Sequence, residues 1–88
     1  MDSLGDLRKQ IDEIDGKIIG MLAKRFVVVK KIGLCKKKHQ LRPFDQKRWQ
    51  EVIDSRVRQG KLFSLEDNFV IDIFNLIHDQ ALKIENEA

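Results

Sequence analysis

Apolar residues in the first part of the chain recur at Leu4, Leu7, Ile11, Ile14, Ile18 and Met21, and again at Val28, Ile32 and Cys35. The steps alternate three and four residues, which keeps all of them in one seam along a helix. One member is missing, because the seam position at 25 holds Arg25. The pattern predicts a helix from Ser3 to about Lys38, roughly 50 Å long at 1.5 Å per residue. Gly5, Gly16 and Gly20 each weaken it by up to about 1 kcal/mol relative to alanine without breaking the pattern. A helix this long outruns a globule of 88 residues. Its seam is most simply buried against a second long helix, that of another subunit. Pro43, the only proline, suits the first turn of a second helix with Trp49, Val52, Ile53 and Val57 on its apolar side. Gly60 reads as that helix's stop. A third helix is expected from Ser64, with Asp67 three residues on as an approximate capping box. Val70, Ile73, Phe74, Ile77, Ala81 and Ile84 form its stripe. No strand pattern competes, so the fold class is all-α with three helices: long, short and medium.

Composition narrows the class. Hydrophobic residues are 42% and charged residues 35%, which suits a soluble protein rich in amphipathic helix. Seventeen basic residues against fourteen acidic ones leave a net charge of +3. That bias suits an anionic small molecule as well as nucleic acid. The basic residues lie among acids with no aromatic-basic surface pattern, so no nucleic-acid partner is expected. The single Cys35 excludes an internal disulfide and fits a reducing compartment. Its apolar neighbours Ile32 and Leu34 suggest that it packs. No apolar run approaches the roughly 18 residues of a membrane span. The start, MDSLGDLRKQ, lacks a signal-peptide core. A cytoplasmic protein with no membrane partner is expected. With no repeat, low-complexity tract or linker, residues 1–88 read as a single domain.

Charged positions then raise the chemical question. Arg25 and Lys36 are eleven residues apart, close to three turns, so they share a face about 16 Å apart along the helix. Cations on an apolar seam are costly unless paired or solvated. Glu13 and Asp15 are beyond one turn of Arg25. An acid from another helix, an anionic ligand, or snorkelling to the seam edge remains open. Arg8 is 17 residues before Arg25, rotated by about 100° and about 25 Å away. Taken alone it reads as a solvated surface residue, and it reaches the Arg25 region only from another subunit. His39 and His78 have no metal-ligand company, so no metal site is expected. His39 reads as a loop residue and His78 as a surface or partly buried helix residue.

The segments "LRKQIDEIDGKIIGMLAKR", "KKIGLCKKK", "RPFDQKRW" and "FNLIHDQALKIE" together resemble the AroQ-type chorismate mutases over nearly the whole chain. The resemblance implies an intertwined all-helical homodimer that rearranges chorismate to prephenate, towards phenylalanine and tyrosine, without a cofactor. Arg25 would anchor a carboxylate, and Arg8 would be donated to the other subunit's site. Lys36 would reach the ether oxygen and a carboxylate. Asp45 and Arg48 would border the ring end of the substrate. Glu85 falls where the family has Gln or Glu facing the ether oxygen, and is expected to donate to it as a neutral acid. The chain departs from the family in three places. Trp49 stands where many members have a Glu that accepts from the ring hydroxyl. Ala81 stands where a serine is common. The approach from Pro43 to Asp45 is one residue shorter. An isochorismate-pyruvate lyase, a mutase for the 4-amino analogue and a non-catalytic regulatory paralogue remain as alternatives.

Overall fold

The computed structural model describes residues 2–88, which form three helices: α1 (Leu4–Lys38), α2 (Gln46–Leu62) and α3 (Asp67–Glu87). No strand occurs among the described residues. The start of α1 is fixed by its cap. The Asp6 backbone N–H donates to Ser3 Oγ at 3.1 Å, and the Ser3 N–H donates back to the Asp6 carboxylate at 3.3 Å. This reciprocal pair satisfies N–H groups that the first helical turn leaves free. Lys36, Lys37 and Lys38 place positive charge on the last turn, where the helix dipole favours it.

Three boundaries differ from the sequence-based expectation. Helix α2 starts at Gln46, and Pro43 lies outside it. Asp45 is the cap, with its carboxylate accepting from the Arg48 backbone N–H at 3.1 Å. A capping acceptor satisfies a free N–H directly, whereas proline only tolerates the first turn. At its far end α2 continues past Gly60 to Leu62. Gly60 is buried against α3, where an added Cβ would lie 2.8 Å from Val70 Cγ2. This glycine answers to a close approach between helices and not to a helix stop. Helix α3 starts at Asp67 behind Glu66, with no side-chain cap. Ser64 takes φ 60° in the preceding turn, so no capping box with Asp67 forms.

Packing explains where a cavity arises. Helix α3 packs against α1 and against α2, but α1 and α2 make no contact with each other. At the α1–α3 crossing, Gly33 lets the backbones close in, and a Cβ there would lie 2.9 Å from Glu85 Cα. The buried apolar residues are Val29, Val52, Val70 and Ala81. On α1 the inward positions are therefore Val29 and Gly33, one residue on from the seam members Val28 and Ile32. One residue is a rotation of about 100°. The first part of the seam faces outward, and Leu4, Leu7, Ile11, Ile14, Ile18 and Met21 remain 45–63% exposed. Cys35 is exposed as well, contrary to the packing expected from its neighbours, because position 35 belongs to that outer seam. The chain measures 57 × 24 × 15 Å with a radius of gyration of 16.3 Å. A compact chain of this length has about 12 Å. Among the described residues no helix is long and apolar enough to cross a membrane.

Candidate active site

Between α1 and α2, floored by α3, lies a cavity of about 310 Å3. That is the small end of the roughly 300–1,000 Å3 typical of ligand pockets. Arg25, Val29, Ile32 and Lys36 come from α1 at steps of four, three and four, so one helical face forms this wall. The second wall is Pro43 and Asp45 on the approach to α2, then Arg48, Trp49, Val52 and Arg56 on α2 itself. The floor is His78, Ala81 and Glu85 of α3, again at steps of three and four. Arg25, Lys36, Asp45, Arg48, Trp49, Ala81 and Glu85 were the within-chain candidates in the sequence, and all of them line this cavity. Arg8 does not; it is exposed near the start of α1.

Lys36 is held from two sides. Its Nζ donates to the Pro43 carbonyl and lies 2.7 Å from Glu85 Oε1. The contact to Glu85 is an ion pair by distance, although Oε1 lacks a well-aligned hydrogen bond. The two side chains are 23% and 9% exposed, so solvent screens this pair less than a surface one. The pairing joins α1 to α3 beside Gly33, where the backbones are closest.

Arg25 is in the opposite situation. Neither ion pair among the described residues involves it, and its buried Nη1 has no hydrogen-bond partner. Burial, followed by the charges of Arg56 and Arg48, pushes its pKa below the usual arginine value. A guanidinium remains cationic under such a shift. Of the explanations open for Arg25, an acid from α2 or α3 is therefore not the one found. A buried charged donor without an acceptor carries its full desolvation cost. An anion entering the cavity would relieve it.

Trp49 and His78 close the remaining side. Their rings stack at 3.8 Å between centroids and 11° between planes, and the Phe44 ring is 5.7 Å from His78. Trp49 is thus a wall of the cavity, not plain core. His78 Nε2 is buried without a partner. Its pKa is lowered mainly by burial, with Arg25 and Lys36 adding to the fall and Asp79 and Glu85 opposing it. Ala81 is buried in the floor, where its small side chain leaves room above.

Two cavity residues escaped the sequence reading. Arg56 follows Asp45, Arg48, Trp49 and Val52 at helical spacing, but Val57 beside it satisfied the apolar stripe. His78 precedes Ala81 by three and Glu85 by seven, which puts it on their face. Among the described residues no cluster of three or more His, Cys, Asp or Glu side chains is placed to hold a metal.

The chain that builds this cavity has matches among known proteins. The family model described as "Chorismate mutase type II" matches residues 7–86. The chain belongs to the chorismate mutase type II family. A "Chorismate mutase" of Methanocaldococcus jannaschii is 29% identical over 85 residues, covering 94% of this chain and 86% of that protein. A "T-protein" of Haemophilus influenzae is 25% identical over 87 residues, covering 99% of this chain. In that second relative the match spans 23% of the length.

Proposed function

We propose that this chain is a chorismate mutase, rearranging chorismate to prephenate for the synthesis of phenylalanine and tyrosine. The observation that carries the reading is the unpaired Arg25 guanidinium on the same wall as Lys36, in a cavity that also holds Arg48. Chorismate presents two carboxylates, and guanidinium groups bind carboxylates with fixed orientation. The reaction is intramolecular. The C–O bond of the enolpyruvyl ether breaks while a C–C bond to the ring forms, with no nucleophile and no net proton change.

Two tasks fall to the protein. It holds the enolpyruvyl arm over the ring in the reactive conformer. It also stabilises the negative charge that grows on the ether oxygen. Arg25 anchors one carboxylate, and Arg48 with Asp45 borders the ring end. Lys36 is the donor to the ether oxygen, and its support by Glu85 and Pro43 keeps the ammonium in place. Such donors act mainly in the transition state, which is what raises kcat. Glu85 sits beside Lys36 and, through the ion pair, orients the ammonium towards that atom. Arg8 belongs to the site of a second copy, because within its own chain it stands outside the cavity.

The test is incubation with chorismate and, separately, with isochorismate, followed by product identification. Prephenate from chorismate supports the mutase. Trp49 cannot accept a hydrogen bond from a ring hydroxyl, which keeps isochorismate-pyruvate lyase as a second reading. Salicylate and pyruvate from isochorismate, without prephenate from chorismate, would establish that alternative.

A further inference from the structure

Arg56 lies eight residues after Arg48, about 12 Å further along α2. Among the spaces it borders are the cavity and a largely apolar groove of about 520 Å3 formed by Ile14, Lys17, Ile18, Met21, Leu22, Phe74 and Ile77. Arg25 and Arg56 are the two residues shared by these spaces, so together they form the rim between them. The contacts of Arg56 leave its charge uncompensated. Nη1 donates to Ser55 Oγ at 3.2 Å, and the guanidinium carbon lies 5.9 Å from the centre of the Phe74 ring. Neither ion pair among the described residues includes it.

Two half-buried arginines on one rim repel each other, and the neighbouring Phe74 and Val52 would suit a leucine at position 56 better. The charges of the cavity wall give the reason for the arginine. Four cations, Arg25, Lys36, Arg48 and Arg56, face two carboxylates. Glu85 is committed to Lys36, and Asp45 caps α2. The wall is left with two positive charges in excess. A ligand with two carboxylates balances this within-chain excess, to which an Arg8 from a second copy would add, and Arg56 supplies the unpaired cation that stands beside Arg25 at the groove end.

We propose that Arg56 is a further substrate-binding residue that shares with Arg25 a carboxylate subsite at the groove end of the cavity. The identity of the ligand as chorismate rests on the mutase reading, whereas the anion subsite does not. Arg56 contacts substrate and not the breaking bond, so its loss acts on binding more than on turnover.

The experiment compares wild type with Arg56→Leu, Arg56→Gln and Arg56→Lys. It reads kcat and KM for chorismate, calorimetric affinity for malate as a dicarboxylate that cannot rearrange, and sedimentation mass. Leucine and glutamine are expected to raise KM at least tenfold, to weaken malate binding in parallel, and to change kcat less than threefold at unchanged mass. Lysine, which keeps the charge but loses the bidentate fork, should fall between. KM and malate affinity within twofold of wild type in the leucine and glutamine variants would overturn the proposal. So would a loss of affinity that appears only with a fall in sedimentation mass, since Arg56 would then be pairing with a second copy. If wild type leaves chorismate unchanged yet binds malate in an Arg56-dependent way, the mutase reading fails and the subsite stands.

Discussion

At the scale of single residues, Lys36 is a compensated cation and Arg25 an uncompensated one, and the two should fail differently. Lys36→Ala removes a donor aimed at developing charge and is expected to lower kcat by about 10²–10³, the loss found for a single such donor. Arg25→Ala removes a ground-state anchor and should raise KM more than it lowers kcat. Steady-state kinetics separates the two, with helical circular dichroism retained in both. Unfolding of Arg25→Ala would make that arginine structural and sink its binding role. Glu85→Gln keeps an amide oxygen that can accept from Lys36 and an N–H that can donate to the ether oxygen, and should retain activity. His78 makes a prediction about stability. Its folded pKa lies below the ordinary value of about 6.5, so between the two values the unfolded chain binds more protons than the folded one. Its neutral form is fully accommodated above the unfolded value. The His78 contribution is lost as pH falls from there to the lowered folded pKa, and is constant below it. Urea midpoints measured from pH 8 to pH 5 should therefore fall faster in wild type than in His78→Phe, which retains the stack on Trp49. Parallel curves would show that burial of the imidazole does not govern acid stability.

Among helices, the three-and-four spacing made α1 legible in the sequence, within one residue at its start and at Lys38 at its end. Periodicity alone put Arg25 and Lys36 on one face, whereas Asp45, Arg48, Trp49, Ala81 and Glu85 were named from the family resemblance, and all seven line the cavity. What stayed hidden depends on packing between helices. The inner face of α1 runs through Val29 and Gly33, and a glycine leaves no mark in a hydrophobic pattern. Arg56 and His78 were hidden because a polar residue inside an apolar stripe reads as surface until the facing helix is known. The ends of α2 and α3 missed because Asp45 and Glu66 precede the helices without a strong pattern to flag them. The glycines supply a test at this scale. Gly33→Ala brings a Cβ to 2.9 Å from Glu85 Cα and 3.0 Å from Ala88 Cβ. Backbone must yield, at a cost of about 1–3 kcal/mol, and the shift separates Lys36 from Glu85. At Gly16 an added Cβ meets nothing within 4 Å, so Gly16→Ala should stabilise by up to about 1 kcal/mol through helix propensity. Denaturant midpoints are expected to move in opposite directions. Gly33→Ala with unchanged stability and unchanged kcat would show that the close crossing does not position the pair.

For the whole molecule, the excess surface is the main physical fact. The chain exposes 7451 Å2, whereas a compact monomer of its mass exposes roughly 5,400 Å2. The excess of about 2,000 Å2 is of the size that stable subunit interfaces bury. The apolar seam from Leu4 to Met21 is among the surface left open, and it leads into the groove beside Arg25 and Arg56. A second copy laying its α1 along this seam would cover the groove and carry its own Arg8 towards the first copy's cavity. Sedimentation should therefore give about twice the 10.3 kDa chain mass. A shared site would have a sharper consequence. Arg8→Ala and Arg25→Ala homodimers each lack one arginine in both cavities and should show little activity at chorismate concentrations below the wild-type KM. In a mixed dimer one cavity combines Arg25 of the first chain with Arg8 of the second, while the other cavity lacks both. Equal mixing under mild denaturant, then refolding, makes half the dimers mixed, with half of their cavities intact. Recovered activity should approach about a quarter of wild type. No recovery after demonstrated subunit exchange, or full activity in a monomer at assay concentration, would mean that each chain works with its own cavity alone.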